Sequence, residues 1–537
     1  MTKNALSVIA ASIALAMSGQ SMAAKVPAGT QLAAKQELVR NIGAEVESLD
    51  ISQIESVPAN HVARDLFEGL TAIDSSGKIV PGVAESWTRK DPLTWVFKLR
   101  KNARWSNGEP VTANDFVFSW QRTVDPKTAS KYTIFLDFIA NGSAILAGKK
   151  PVTALGIKAL DAGTVEVKTA VPTPFLPDLL SNPTMAPLNK GAYLKGGKDF
   201  TKPGKLVSNG GYVLKEWVPN SRIVLEKNPN YWNASTTVIT RVTFDPTESE
   251  DATFKMFKAG QLDWTDRAPS GSYAKLSKEM PKDYRVGLTI ALYYMGINNT
   301  DPVMKDIRVR KALSMVIDRD VLTGKVLGEG QRPAYGLFVK GMEGAKVSAY
   351  DWSAWPMQKR IDEAKKLLAA AGYGPNRPLK FKYMYNTTDL HKKIAVFAIG
   401  EWKNKLGVQA TMENQEFKVF LKTRHDGAYQ VARNGWNADY NDASTFLDLL
   451  RCNSPQNDQK YCSKKVDALI NQGYASNDLA KRSAVLTEAG RLAMEDYPLI
   501  PLFQYTSPRL VKSWVGGYFT SNAFERFRTS DLYIIKH

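Results

Sequence analysis

Short stretches of period-two alternation and longer stretches of helical amphipathicity follow one another along this 537-residue chain, with no internal repeat or low-complexity linker between them. Thr94–Arg100 and Thr164–Thr169 alternate polar and apolar residues and predict strands. Tyr284–Asn298, rich in β-branched and aromatic residues, predicts a longer one. In Arg360–Ala371 the residues Ile361, Ala364, Leu367, Leu368 and Ala371 share one helical face, and Gly372, Gly374 and Pro375 stop the helix. Leu479–Tyr497 repeats the pattern before Pro498. This mixture predicts an α/β fold. A single core stops growing near ~250–300 residues, so several lobes are required. Without linkers between them, those lobes must be interleaved and packed.

Residues 1–23 carry a short positive start, an apolar core over Ala5–Met17 and small residues at Ser21 and Ala23. These are the marks of a secretory signal peptide cleaved after Ala23. The apolar run is shorter than the ~20 residues a spanning helix needs, and no later stretch reaches that length. No Cys stands at the cleavage point, so no lipid anchor is expected. The only cysteines, Cys452 and Cys462, lie in a polar loop. In an oxidising compartment they predict a disulfide, two free thiols being the alternative.

Lys and Arg total 71 against 53 acidic residues, a net charge of +18. Such an excess raises the question of nucleic acid or an anionic surface. Lys190, Lys195, Lys198, Lys202 and Lys205 crowd one Gly-rich stretch, but without the interleaved aromatics and Arg forks of a nucleic-acid groove. A solvated loop is expected there, and no nucleic-acid partner. Catalytic patterns are missing as well. The four histidines, His61, His391, His425 and His537, have no metal-ligand spacing, and no Gly-x-Ser-x-Gly elbow is present. Gly142–Lys149 only approximates a phosphate loop, with Lys150 where Ser or Thr is needed. Asp439 and Asp442 stand in an Asx-rich loop of the kind that makes turns. The reading is a non-enzyme with no catalytic residues, no metal site and no cofactor.

A set of blocks in fixed order carries more. It begins at Leu66-Phe-Glu-Gly-Leu70 and Pro81-Gly-Val-Ala-Glu-Ser-Trp87, and continues through Trp95-Val-Phe-Lys-Leu-Arg100 and Trp105-Ser-Asn-Gly-Glu-Pro-Val-Thr-Ala-Asn-Asp-Phe116. Ser119-Trp-Gln-Arg122, Asn228-Pro-Asn-Tyr-Trp232, Arg308-Val-Arg-Lys-Ala-Leu313 and Asp318-Arg-Asp320 follow. Tyr385-Asn-Thr-Thr-Asp-Leu-His-Lys-Lys393 and Tyr533-Ile-Ile-Lys-His537 complete the set. In this order the blocks resemble the oligopeptide-binding proteins of ABC importers, the family-5 extracellular solute-binding proteins.

The resemblance implies a periplasmic-binding-protein fold of class II (cluster C), with two hinged α/β lobes and an inserted third lobe. Lobe I would comprise residues 24–67, 191–290 and 507–537, lobe II 68–190, and lobe III 291–506. The function implied is capture of oligopeptides by lobe closure in the periplasm. Delivery to an inner-membrane ABC permease and its ATPase subunits would follow, with the receptor acting as a monomer. A dedicated binder of murein peptide, dipeptide or another small solute is the alternative on the same scaffold.

The resemblance also implies a site. Asp439, in Arg433-Asn-Gly-Trp-Asn-Ala-Asp439, would pair with a peptide's α-ammonium. Glu55-Ser56-Val57 and Gly435-Trp436-Asn437 would flank the peptide as backbone edges. Arg424, Arg433 and His391 match positive positions that receive the ligand carboxylate. Tyr132, Tyr294, Trp436 and Tyr505 would be aromatic walls. Three departures bear on specificity: Phe417 where relatives often have Trp, Leu327 where some have Lys, and Asp266-Arg267-Ala268 in place of a polar stretch.

Overall fold

The computed structural model describes residues 26–269, 271–476 and 478–537. The expected signal peptide lies outside these residues.

Three larger sheets organise the chain. The first runs in the order Glu37–Asn41, Arg241–Asp245, Arg222–Lys227, Tyr212–Val218. Its first two strands are parallel and the others antiparallel. Residues distant in sequence complete this unit. Ala33 N donates to Ile534 O at 2.9 Å and Gln36 Nε2 to the same oxygen at 2.8 Å. The second sheet is antiparallel, in the order Ala84–Arg89, Thr94–Leu99, Thr164–Lys168, Ile157–Asp161. Helix Ala113–Val124 buries Phe116 and Trp120 in the core below it and opens on a Thr112/Asp115 capping box.

The third sheet has six strands in the order Arg332–Pro333, Leu499–Leu510, Tyr284–Ile297, Val431–Asn437, Lys380–Asn386, Gln409–Gln415. Helices Ile307–Met315, Met357–Ala370, Asp389–Leu406, Lys464–Tyr474 and Leu479–Glu495 accompany it. The two longest strands, Tyr284–Ile297 and Leu499–Leu510, pair antiparallel over most of their length, with a break in register between Leu288 and Leu292. On one side of the break they reach toward the first sheet: Val511 bridges Trp264, and Trp264 bridges Arg40. On the other side they are the middle of the six-stranded sheet.

The predicted strands and helices are present with shifts of a few residues at their ends, as fraying termini lead one to expect. One local reading changes. The lysine-rich stretch is a short helix over Lys190–Gly196, because the Asn189 side chain accepts from Ala192 N at 2.8 Å and caps it; its lysines are exposed. Gly142 opens the helix Gly142–Leu146, where a Cβ would lie 1.8 Å from Leu136 O. That glycine serves close packing. Cys452 and Cys462 form a disulfide.

Buried Arg319 ties several elements of the six-stranded sheet together. Its guanidinium donates to Ala334 O, Pro501 O, Ser314 O and Ile317 O at 2.8–3.2 Å and lies 4.6 Å from the Tyr335 ring centroid. Arg319→Leu orphans these buried carbonyls, so a loss of about 3 kcal/mol or more is predicted, read as a lower denaturation midpoint by circular dichroism.

Candidate functional site

A cavity lies where the two long strands reach toward the first sheet. Thr289, Tyr505, Thr506 and Ser507 of these strands face it. One wall is Gly43–Ala44, Glu55–Val57 and the Asn60, His61 and Arg64 face of helix Val57–Leu66. The opposite wall is Arg433 and Gly435–Asn437, with Asp439 beyond. Phe417, Leu421, Arg424 and His391 close one side.

Strand Val431–Asn437 has the form of a docking edge. One side pairs with Tyr284–Ile297 along its whole length, while on the other only Val431 and Ala432 pair, with Tyr383 and Met384. Arg433–Asn437 therefore present an open edge to the cavity, the geometry for adding an extended chain. At Gly435 a Cβ would stand 2.8 Å from the Tyr505 hydroxyl, so a larger residue there would displace that side chain. The other expected edge is less available. The Glu55 and Ser56 amides both donate to Glu47 Oε1, at 2.6 and 2.9 Å, so that segment meets the cavity with its side chains and remaining carbonyls.

Asp439 is buried, with 5 % of its surface exposed. The Tyr132 hydroxyl donates to its Oδ2 at 2.5 Å, and the Asn182 amide and Arg526 guanidinium lie at 3.4 and 3.5 Å from Oδ1. Arg526 spends its stronger bonds on the carbonyls of Asp439 and Ala438, at 2.6 and 2.8 Å. Burial outweighs these partners and lifts the carboxyl to about 6. The site thus holds a carboxylate that lacks a full countercharge.

Arg433 is the complementary group. It has no carboxylate partner among the described residues; its guanidinium lies 5.7 Å from the Tyr293 ring centroid and 3.5 Å from the Tyr505 hydroxyl. The other two expected cations differ. Arg424 is paired, with Asp458 at 2.6 Å and Asn434 at 3.0 Å. His391 is buried against Tyr293, its Nδ1 3.2 Å from the hydroxyl, and burial with Arg433 and Arg267 nearby holds its pKa well below the usual histidine value. It is a neutral ring, able to hydrogen-bond a ligand without a charge.

Tyr132, Trp436, Tyr505 and Phe417 line the cavity, with the Tyr132 and Trp436 rings 6.0 Å apart. Tyr294 does not. Strand periodicity turns it to the face opposite Tyr293, where Gln459 Nε2 donates to its hydroxyl at 3.3 Å. Asp442 is held by Arg482 at 2.5 and 2.7 Å and is no partner for Asp439.

Asp266 and Arg267 both line the cavity, paired to others. Asp266 meets Arg509 at 2.9 Å, while Arg267 meets Glu329 and, at 3.5 Å, Glu250. Leu327 is fully buried and away from the cavity. Sequence reasoning missed Arg64, Arg526, Glu329 and Arg509, which come from segments with no motif of their own. Only the spacing of Asn60, His61 and Arg64 on one helix face was a usable signal. Among the described residues no group of three or more His, Cys, Asp or Glu side chains is placed to hold a metal.

A cavity gripped from both sides by polar side chains and an open strand edge is the site of a binding protein. The sequence profile described as "Bacterial extracellular solute-binding proteins, family 5 Middle" matches residues 78–458, and the chain belongs to this family. The periplasmic oligopeptide-binding protein OppA of Escherichia coli is 46% identical over 541 residues, covering 100% of this chain and 99% of its own. The structure of Burkholderia pseudomallei OppA superposes with a TM-score of 0.93 at 52% identity, covering 94% of this chain and all of that one. The Escherichia coli murein tripeptide binding protein MppA gives 0.93 at 40% identity over 95% of this chain and all of its own. An MppA structure described as the unliganded open form gives only 0.67 at 41% identity, with 95% and 99% of the chains covered. At near-equal identity, the present structure therefore superposes better on the first of these two MppA structures than on the one described as the open form. The fold is the α/β periplasmic-binding-protein fold of this family.

Burial of Asp439, only partly offset by Arg526, Tyr132 and Arg64, should cost the empty protein stability. Its pKa is raised above the ordinary 3.8, so this group's contribution rises as pH falls from about 6 toward 4 and is unfavourable at neutral pH. Asp439→Asn is predicted to stabilise ligand-free protein by about 1–3 kcal/mol at pH 7 and by little at pH 4, measured as melting midpoints across pH.

Proposed function

We propose that this chain is the periplasmic receptor of an ABC peptide importer, closing its lobes on an extended oligopeptide and presenting it to the permease and ATPase subunits. The observation that carries this reading is the open strand edge lined by two charged groups, Asp439 with only a distant cation and Arg433 with no carboxylate partner among the described residues. Asp439 takes the peptide's ammonium, Arg433–Asn437 take its backbone, and Arg433, aided by neutral His391, takes the carboxylate. Backbone pairing grips any sequence, while side chains enter pockets where water bridges polar groups. The lobe boundaries are those implied by the sequence, with lobe II at 68–190 inserted. Export through a cleaved signal, the absence of a lipid anchor, the monomeric state and the lack of catalysis belong to the same proposal.

The relatives named above bind oligopeptides or, for MppA, a murein tripeptide. The paired charges Asp266–Arg509 and Arg267–Glu329 in the wall favour a second reading, a restricted ligand whose polar side chains match them. Native mass spectrometry of gently purified protein separates the two: a ladder of peptide masses marks broad binding, and one discrete mass marks a dedicated ligand.

Asp439→Ala is predicted to weaken peptides with a free amino terminus by about 2–5 kcal/mol and N-acetylated peptides far less, measured by calorimetry. Equal losses remove Asp439 from the ammonium role. Affinity for free-amino peptides should also fall as pH drops below about 6, where Asp439 takes up a proton.

A further inference from the structure

The loop closed by Cys452 and Cys462 lies beside the cavity and reaches both of its walls. Asp458 within it has a side chain only 3% exposed and holds two neighbours at once: Arg424 Nε at 2.6 Å from Oδ2 and His425 Nδ1 at 2.8 Å from Oδ1. His425 also reaches Glu55 of the opposite wall, its Nε2 lying 2.7 and 2.8 Å from the carboxylate oxygens, 370 residues away in sequence. Both ring nitrogens therefore face carboxylates, which requires a doubly protonated imidazolium. The two carboxylates raise His425 to about 9 against the opposing effect of burial. The other charged groups around it are Arg424, reached through Asp458, and Lys460, whose Nζ donates to His425 O at 3.0 Å; Lys422 and Asp426 on its own helix pair with each other. The same loop sends Gln456 Nε2 to Lys131 O at 2.6 Å, beside Tyr132. Its backbone is fixed internally by Asn457, which donates to Arg451 O and Tyr461 O.

We propose that Asp458 is a positioning residue of the binding site, and that the Cys452–Cys462 loop acts as a clasp, holding His425 against Glu55 across the cleft and keeping Arg424 on the ligand wall. This rests on the peptide-receptor reading for its effect on affinity, but not for its effect on His425. A ten-residue loop without its cross-link samples many conformations in which Asp458 is withdrawn. His425 then loses one carboxylate, the Glu55 contact loses its orientation, and the closed arrangement loses a bond that spans it. Cys462 is exposed, so a dithiol reductant can reach the bridge. Two electrons and two protons pass from the dithiol to the disulfide, giving two cysteine thiols and the reductant's own disulfide.

The test compares intact protein, protein reduced with dithiothreitol, the Cys452→Ser/Cys462→Ser variant and Asp458→Asn with the bridge intact. Histidine ring nitrogens are followed by ¹⁵N NMR across pH, with His425 assigned by its loss in His425→Gln. Opening the bridge should lower the His425 midpoint by about two pH units toward the ordinary value, and Asp458→Asn should do the same. Calorimetry with a defined tripeptide should show about tenfold weaker binding in each altered form. The combined variant should be no weaker than either alone, since all act through one bond network. Unchanged His425 titration on reduction overturns the proposal, as does unchanged affinity in a reduced protein whose intact form binds. If the intact protein binds no peptide, the receptor reading falls, and the His425 titration alone decides the clasp.

Discussion

The pairing of Tyr284–Ile297 with Leu499–Leu510 is the longest strand pairing described and forms the middle of the six-stranded sheet. The two strands are hydrogen-bonded on both sides of the break between Leu288 and Leu292, one side reaching toward the first sheet and the other lying within the six-stranded sheet. A ladder interrupted for a few residues bends more easily there than anywhere along its paired length. The residues at and opposite the break, Thr289, Tyr505 and Thr506, face the cavity. The irregular stretch of the ladder and the cavity therefore share residues.

The electrostatics of the cavity are decoupled from those of the whole chain. The net charge is +18, yet the cavity lining carries six carboxylates (Glu55, Glu248, Glu250, Asp266, Asp439, Glu525) and six arginines (Arg64, Arg267, Arg424, Arg433, Arg509, Arg526). Most of these are locked in pairs. Asp439 is held loosely, 3.5 Å from Arg526, and Arg433 has no carboxylate partner among the described residues. The surface excess can speed encounter with acidic molecules in a salt-dependent way, but it does not select what stays bound.

Much of the fold was legible before any coordinates. Period-two and helical stretches such as Thr94–Leu99 and Leu479–Glu495 report one-sided burial, which is a local property. The ordered blocks then specified the family, because many weak matches in one sequence order reinforce one another. The site was legible where its residues share a motif: Arg433, Gly435, Trp436 and Asp439 all sit on or just past one strand. It was not legible where a residue's charge state depends on partners far along the chain. His391 reads as a cation until burial beside Arg433 makes it neutral, and Arg424 reads as free until Asp458 claims it. Tyr294 failed for a simpler reason, since a one-residue difference along a strand reverses the face.

The joining of the chain's two ends has a consequence for how this protein comes to be. Strand Glu37–Asn41 finds its parallel partner only at Arg241–Asp245, and Ala33 and Gln36 find theirs at Ile534. A nascent chain therefore emerges with its first strand unpaired, and the first sheet is sealed only after the last residues have appeared. Such non-local closure makes folding slow and keeps the growing polypeptide open to chaperones, proteases and aggregation until synthesis ends. The topology itself postpones the compact state.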